Sequence, residues 1–557
     1  MLDSIKQQLQ QFLAETLTAA YPDIADFPSI SIETPAEKTH GDFSTNIALK
    51  SAKIFRKAPM VIAEELAGHI KKAVAASPLQ AHIQSIEIKN PGFINFFLTQ
   101  DSLFEIIEQV FEEGGRYGVS DFGKKEKIQI EFVSANPTGP LSVAHARQAV
   151  VGDVLGNVLT FLGFDVTKEY YVNDEGNQIN ILGTSIKCRA LQHLGLDVAF
   201  PEEGYQGDYI KDMAQIFLSE KGIADAEAAK AVADLEWNDF GVRYLMDVIK
   251  RDLDDFGVHF DYWAHQREIA TDTQIEKILD LLKERGHLYE EEGALWFKSS
   301  AFGDDKDRVV KKSDGAYTYL TPDIVYHKDK FERGFSRVFN IWGPDHHGYI
   351  PRIKAAAEAL GKNKDDLEVL IVQLATLFRD GKPVSMSTRR GEFISLREVM
   401  EEVGTDAARF FFLMRHIKAH LEFDLELAKK QTNENPVYYI QYAHARVYSV
   451  NKKADEVGIK VKSKGFSLLK EPEEIDLIKK MGEFPETLQF CYNQLDPYPL
   501  VSYMQDLAAV FHKFYDHHRV IDANEQLSAE RLSLMNAARI VFANGLGLLG
   551  VQAPEQM

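Results

Sequence analysis

The chain has 557 residues, 45% hydrophobic and 26% charged, with a formal net charge of −21 and only two cysteines. This length exceeds what one hydrophobic core fills and implies three or four domains, and the composition is that of a globular protein rather than a disordered or fibrous one. Two cysteines exclude a disulfide framework and a cysteine-based zinc site and suit a reducing, cytoplasmic setting, and no apolar run approaches the roughly 20 residues of a membrane span, so no membrane partner is expected.

In chain order, Ile5, Leu9, Phe12, Leu13 and Leu17 form one face of an amphipathic helix over residues 1–21, with Lys, Gln and Glu between them as in no signal peptide. A second helical stretch follows, with short strands at 29–33 and 83–88, a polar loop Thr39–Asn46 entering a helix, and a turn at Pro91-Gly92. This is a small α/β domain. Lys127–Val133 alternates polar and apolar residues as a strand does, and Asn136-Pro137-Thr138-Gly139-Pro140 breaks it. From Ala144 the period becomes helical, with Val150, Val154, Val158 and Phe161 on one face and Gly163 as the stop. A loop aimed at a helix start is a ready anion site, because free N–H groups and the positive end of the helix dipole face it.

A second strand at 166–172 and a polar loop Asn173–Gln178 complete a strand–helix–strand–helix run, the opening of a parallel sheet. About 190–265 reads as a charged helical insertion. The βα pattern returns with strands at 317–320, 338–342 and 367–372, and Arg379–Lys382 is a hairpin turn. Beyond about 395 nearly everything is helical, at 404–418, 437–452, 472–494, 498–520 and 528–549, which predicts an all-α C-terminal domain.

In an open parallel sheet, groups at the carboxyl ends of the strands meet in one crevice. His145, the segment Tyr319–Asp323 and the segment Gly343-Pro-Asp345-His346-His347-Gly-Tyr349 are therefore expected around one pocket. Adjacent histidines on extended chain point apart, so His346 and His347 are not read as sharing a metal, and no metal site is assigned. Val384–Gly391 is polar, basic and glycine-tipped, as a phosphate-clamping loop must be. Tyr439 and Tyr442 share a helix face beside Arg446, with Lys452 and Lys453 beyond. Such stacking rings beside cations suit single-stranded RNA, against the plainer reading of half-buried core. The charge of −21 opposes nucleic-acid binding only as a sum, since binding depends on local patches.

Together these segments resemble the bacterial arginyl-tRNA synthetases over essentially the whole chain. Glu131-Phe-Val-Ser-Ala-Asn136-Pro-Thr-Gly-Pro-Leu-Ser142-Val-Ala-His145-Ala-Arg is similar to the "HIGH" signature of class I synthetases, and Ser385-Met-Ser-Thr-Arg-Arg-Gly-Glu-Phe to the "KMSKS" signature. Gly404-Thr-Asp-Ala-Ala-Arg409, Tyr438–Arg446, the C-terminal Leu548–Met557, and the early Thr39–Asn46 and Pro91–Asn95 also resemble that family.

The resemblance implies an α/β fold with three parts: an N-terminal additional α/β domain at 1–115 that contacts the tRNA elbow, a Rossmann-like parallel-sheet catalytic domain at 120–400 with its insertion at about 190–265, and an all-α anticodon-binding bundle at 401–557. It implies ligation of L-arginine to tRNA(Arg) through an arginyl adenylate, with ATP entering as its Mg²⁺ complex, by a cytoplasmic monomer. Catalytic roles fall to His145, Ser142, Arg389 and Arg390. Nucleotide contacts fall to Asn136, Pro137, Gly139, Pro140, His145, Asp345, His346, Ser385, Met386 and Ser387. Arginine contacts fall to Glu131, Asn136, Tyr319, Asp323 and Asp345, and tRNA contacts to Tyr439, Tyr442, Arg446 and Met557. Ser142 and Ser385 stand where histidine and lysine are usual. They motivate a second reading, a synthetase-like RNA-binding protein with impaired catalysis.

Overall fold

The computed structural model describes residues 2–24, 27–35, 37–384 and 394–557. At its centre five strands lie parallel: β1 (Lys127–Glu131), β2 (Asp165–Val172), β3 (Tyr262–His265), β4 (Arg337–Trp342) and β5 (Leu367–Ile371). Their order is β5-β4-β1-β2-β3, so the direction of winding reverses between β1 and β4. A crevice opens at such a reversal, beyond the carboxyl ends of the strands.

The two faces of β1 differ. Ile128, Ile130 and Phe132 are buried on the side of helix α1 (Val143–Phe161). There a Cβ on Gly152 would lie 2.2 Å from the Phe132 ring, so only glycine permits this approach of helix to sheet. On the other side Glu131 pairs in register with Asn340 of β4 and Glu169 of β2. This polar row faces helix α2 (Leu320–Glu332), whose Lys330 reaches Glu131.

Three predicted elements differ. Tyr317–Leu320 is not a strand. Tyr317 makes a single bridge to Lys311 and the chain turns directly into α2, whose first turn accepts Pro322 because its missing N–H would have no partner there. At 29–33, Ile30 and Ile32 are buried but only Glu33 pairs, with Ser44. The loop Thr39–Asn46 itself holds a short strand, Phe43–Thr45. Two features were not anticipated: β3, at the end of the stretch read as insertion, and a three-stranded antiparallel sheet of 288–291, 294–297 and 308–311. The insertion helices Asp208–Lys221, Ala226–Ala231 and Asp234–Asp255 pack with Asn177–His193 around Phe217, Trp237 and Phe240.

At the N-terminus a three-stranded antiparallel sheet accompanies helices Leu2–Ala20 and Pro59–Val74, the first burying Ile5, Leu9, Leu13 and Leu17. At the other end come helices Pro436–Glu456, Pro472–Gly482, Phe484–Gln494, Tyr498–His517 and Glu525–Leu549. The last is long and apolar enough to cross a membrane, yet 72% of its apolar window is buried inside the protein, as a core helix is.

Candidate active site

The site begins where β1 ends. Val133 and Ser134 take left-handed backbone angles, φ 67° and 40°, which cost non-glycine residues about 1–3 kcal/mol each. The turn is held by its neighbours. Ser134 Oγ donates to Glu131 Oε1 at 2.8 Å and accepts from the Tyr171 N–H at 3.1 Å, and Tyr170 Oη donates to the Ala135 carbonyl at 2.8 Å. The strained turn thus aims the Glu131 carboxylate and presents Asn136, whose amide donates to Gln178 Oε1 at 2.7 Å.

Helix α1 starts at Ser142 with His145 in its first turn. His145 Nδ1 accepts the Ser142 backbone N–H at 3.2 Å, which leaves the ring proton on Nε2. Burial lowers the His145 pKa to about 4, against an opposing pull from Asp345. At neutral pH the ring is therefore an uncharged donor. Two residues on, the buried Arg147 guanidinium donates to the carbonyls of Gln373, Ala419 and His416 at 2.7, 2.9 and 3.1 Å. It fastens the start of α1 to the chain that leads into the helical domain. Ser142 also pairs with Ser395, and the Leu396 N–H donates to the Leu141 carbonyl at 2.7 Å. The chain that follows the predicted phosphate loop is thereby joined to α1. The predicted residues Ser385, Met386, Ser387, Arg389 and Arg390 lie outside the described residues.

The first turns of α2 supply the anionic wall. Tyr349 donates to Asp323 Oδ2 at 2.5 Å, yet burial, with Glu131 adding repulsion, raises the Asp323 pKa to about 7. Behind it Lys330, fully buried, donates to Glu131 Oε2 at 2.5 Å and to Asn340 Oδ1 at 2.9 Å. His327 Nδ1 donates to the Asp323 carbonyl at 2.8 Å and its Nε2 accepts from the Asn340 amide at 2.8 Å. Burial and Lys330 keep that imidazole neutral, with its pKa lowered to about 3. Tyr326 donates to Glu169 at 2.6 Å and stacks on Tyr171 with ring centroids 4.4 Å apart.

These groups meet in one cavity of about 920 Å³, lined among others by Glu131, Asn136, His145, Asp323, Asp345 and His346. Tyr319 also borders it but is 74% exposed, so it stands at the rim rather than in the wall, where Tyr349 and Tyr326 are found. Two expectations need correction. Tyr319 and Asp323 reach the cavity from a helix start, not a strand end. Pro137, Gly139 and Pro140 do not line it; their turn packs on the insertion, where Tyr209 donates to the Thr138 carbonyl at 2.6 Å. The polar row Lys330, Asn340, His327 and Glu169 was missed, since a lone lysine or asparagine in an apolar-looking segment carries no local signal. Among the described residues, no three His, Cys, Asp or Glu gather as a metal-holding group.

On the helical domain Tyr442 stacks on Tyr438 with centroids 6.1 Å apart, and Tyr439 packs on His512 at 4.3 Å. Arg446 lies 4.4 Å over both Tyr442 and Tyr515. The predicted tyrosines are half-buried, and Met557 is 51% exposed.

A doubly wound parallel sheet whose reversal point meets a helix start bearing a neutral histidine is the nucleotide-binding architecture of the class I aminoacyl-tRNA synthetases, and residues 106–425 match the family described as "tRNA synthetases class I (R), catalytic domain". Residues 3–98 match the arginyl tRNA synthetase N terminal domain and 440–557 the DALR anticodon binding domain. An arginine–tRNA ligase of Bacillus subtilis is 45% identical over 559 residues, 100% of this chain and 99% of the relative; one of Desulfosudis oleivorans is 47% identical over 568 residues, 99% and 100%. Among solved structures, a putative arginyl-tRNA synthetase from Campylobacter jejuni is 36% identical with a TM-score of 0.75, covering 83% of this chain and 100% of that one. The Thermus thermophilus arginyl-tRNA synthetase, 21% identical, has the same fold with a TM-score of 0.75 over 99% of this chain and 100% of that one. The chain belongs to the arginyl-tRNA synthetase family.

Proposed function

We propose that this protein ligates L-arginine to tRNA(Arg) at the expense of ATP, through an arginyl adenylate. The observation that carries this is the pairing, in one cavity, of a carboxylate wall with a helix start that offers a neutral imidazole N–H. A guanidinium is planar and always charged and demands a carboxylate partner. Asp323 supplies it, with Tyr319 closing over the rim, while Glu131 and Asn136 hold the α-ammonium and carboxylate. Lysine would leave paired sites empty in such a slot, a loss that gives discrimination of about 10⁴-fold without an editing step.

In the first half-reaction the arginine carboxylate attacks the α-phosphorus of ATP and pyrophosphate leaves. In the second, the 2′-hydroxyl of the terminal adenosine attacks the adenylate carbonyl and AMP leaves. Positioning and charge stabilisation dominate such chemistry. His145 Nε2–H donates to phosphate oxygens from the start of α1, Asp345 and His346 flank the nucleotide, and Arg389 and Arg390 neutralise charge on the departing pyrophosphate. Ser385, Met386 and Ser387 complete the phosphate loop. Mg²⁺, entering as the ATP complex, would supply neutralisation of phosphate charge, as suits a small, hard cation. The described residues offer no all-protein cage for it, and Asp345 and Glu175 are exposed carboxylates at the cavity.

Tyr439, Tyr442, Arg446 and Met557 serve tRNA on the helical domain. The division at about 115 and 400, a monomeric state and a cytoplasmic location complete the proposal. The test is arginine-dependent ATP–pyrophosphate exchange with and without tRNA, followed by charging of tRNA(Arg). Exchange and charging support the ligase; absence of exchange under both conditions, with tRNA still bound, would establish the impaired RNA-binding protein instead.

A further inference from the structure

The interior behind the arginine slot is charged where a Rossmann-like interior is ordinarily apolar. Lys330 has no exposed surface, yet its ammonium is bonded to Glu131 and Asn340 and sits 4.3 Å over the Tyr326 ring. From Asn340 the bonds continue through His327 to the backbone of Asp323. One buried cation therefore touches the carboxylate at the α-ammonium end directly and reaches the guanidinium end in three hydrogen-bonded steps. A buried charge of this kind costs several kcal/mol unless its partners need it.

We propose that Lys330 is a positioning residue for the amino-acid step: it is the counter-ion that lets two carboxylates, Glu131 and Asp323, share one slot and receive the two cationic ends of arginine. The proposal rests on Asp323 being the guanidinium partner. Without Lys330, Glu131 is uncompensated while it opposes the ionisation of Asp323, and two carboxylates sharing one slot cannot both stay charged. The other groups around Asp323 do not replace it. On α2 itself Tyr326 and the neutral His327 carry no positive charge. From β2 come Glu169 and Tyr171, the former occupied by Arg333 at 2.7 and 2.9 Å. From the loop after β2 come Asp174, already answered by Arg267 at 2.9 Å and by His265 at 2.8 Å, and Glu175, further negative charge. From the segment after β4 come Tyr349, a neutral donor, and Arg352, which lies 5.4 Å from the Tyr349 ring and leaves Lys330, among the described residues, as the cation acting on Asp323.

The experiment is the pH profile of kcat/KM for arginine in tRNA charging at saturating ATP and tRNA. In the natural protein it is expected to rise through about pH 7 as Asp323 ionises. Lys330→Met is expected to displace that rise upward by about one pH unit or more while the KM for ATP changes less than about twofold. Lys330→Arg, which keeps the charge, should hold the profile in place. Lys330→Met combined with Glu131→Gln, which removes both charges and leaves no orphaned ion to unfold the protein, should return it. A uniform loss for all substrates with an unmoved profile would mean that Lys330 is merely structural and overturns the proposal. Asp323→Asn separates the two ideas. If it leaves the KM for arginine unchanged, the slot itself is misassigned; if it raises that KM while Lys330→Met leaves the profile in place, only the role of Lys330 falls.

Discussion

His145 is fixed by its backbone rather than by a charge. Its Nδ1 is engaged by the amide of Ser142, its burial keeps it neutral, and its remaining N–H opens on the cavity. His145→Ala should lower kcat for exchange about 10²-fold, the usual cost of one lost donor to developing charge, and His145→Asn, which retains an N–H donor, should lose less; equal losses would mean the ring acts by shape alone. Asp323 carries the opposite lesson. Its folded-state carboxyl titrates near 7, above the usual range near 3.9. The native protein therefore holds a proton that the unfolded chain has released, so stability falls as pH rises from about 4 to about 7 and is not regained above it. Ligand-free Asp323→Asn should consequently be more stable at pH 8, by about 1 kcal/mol or more, while its KM for arginine rises far more than its KM for ATP. Thermal melts and charging kinetics check the two halves, and a less stable variant would show that the carboxylate is already satisfied in the empty slot.

At the scale of elements, α1 is the piece against which the rest is set. Its first turn is tied by Arg147 to residues 373–419, and its middle by Asp153, which accepts from Lys168 at 2.6 Å and from Arg409 at 2.5 Å. Arg409 is wholly buried and also donates to the carbonyls of Leu549 and Phe256 at 3.0 and 2.8 Å, so one guanidinium joins α1, the end of the last helix and the end of the insertion. Arg409→Met should cost about 3 kcal/mol, the low end for breaking a buried pair, because Lys168 still compensates Asp153. A urea midpoint unchanged from the natural protein would refute that role. Gly550 belongs to the same junction: a Cβ there would lie 2.2 Å from the Arg409 guanidinium, and its φ of +65° disfavours any side chain.

Over the whole molecule the net charge of −21 is spread unevenly. Acidic residues crowd the insertion helices, whereas Tyr438, Tyr442, Tyr515 and Arg446 assemble a ring-and-cation patch on the helical domain. A base stacked on such a ring is worth about 1–3 kcal/mol. Tyr442→Ala should therefore raise the KM for tRNA by about tenfold or more and leave the KM for ATP in tRNA-independent measurements unchanged; unaltered charging would assign the ring to the core. Because cation–phosphate contacts release counter-ions, tRNA affinity should also fall steeply with salt despite the acidic total.

The β1–loop–α1 unit, the two later strands and the C-terminal helices were legible in the residue string because strand and helix periods, proline–glycine turns and helix stops are local properties. The family resemblance, carried by spaced motifs, pointed to Glu131, Asn136, His145, Asp323 and Asp345, and these do meet in one cavity. What only the tertiary structure decided is which charges are buried and by whom they are answered. Lys330 finds Glu131 across 199 residues and Arg409 finds Asp153 across 256. Tyr319 is left at the rim while Tyr349 takes the hydrogen bond. Periodicity is written in neighbouring residues, but the compensation of a buried ion depends on partners brought together by the order of strands, and no short stretch of chain records that order.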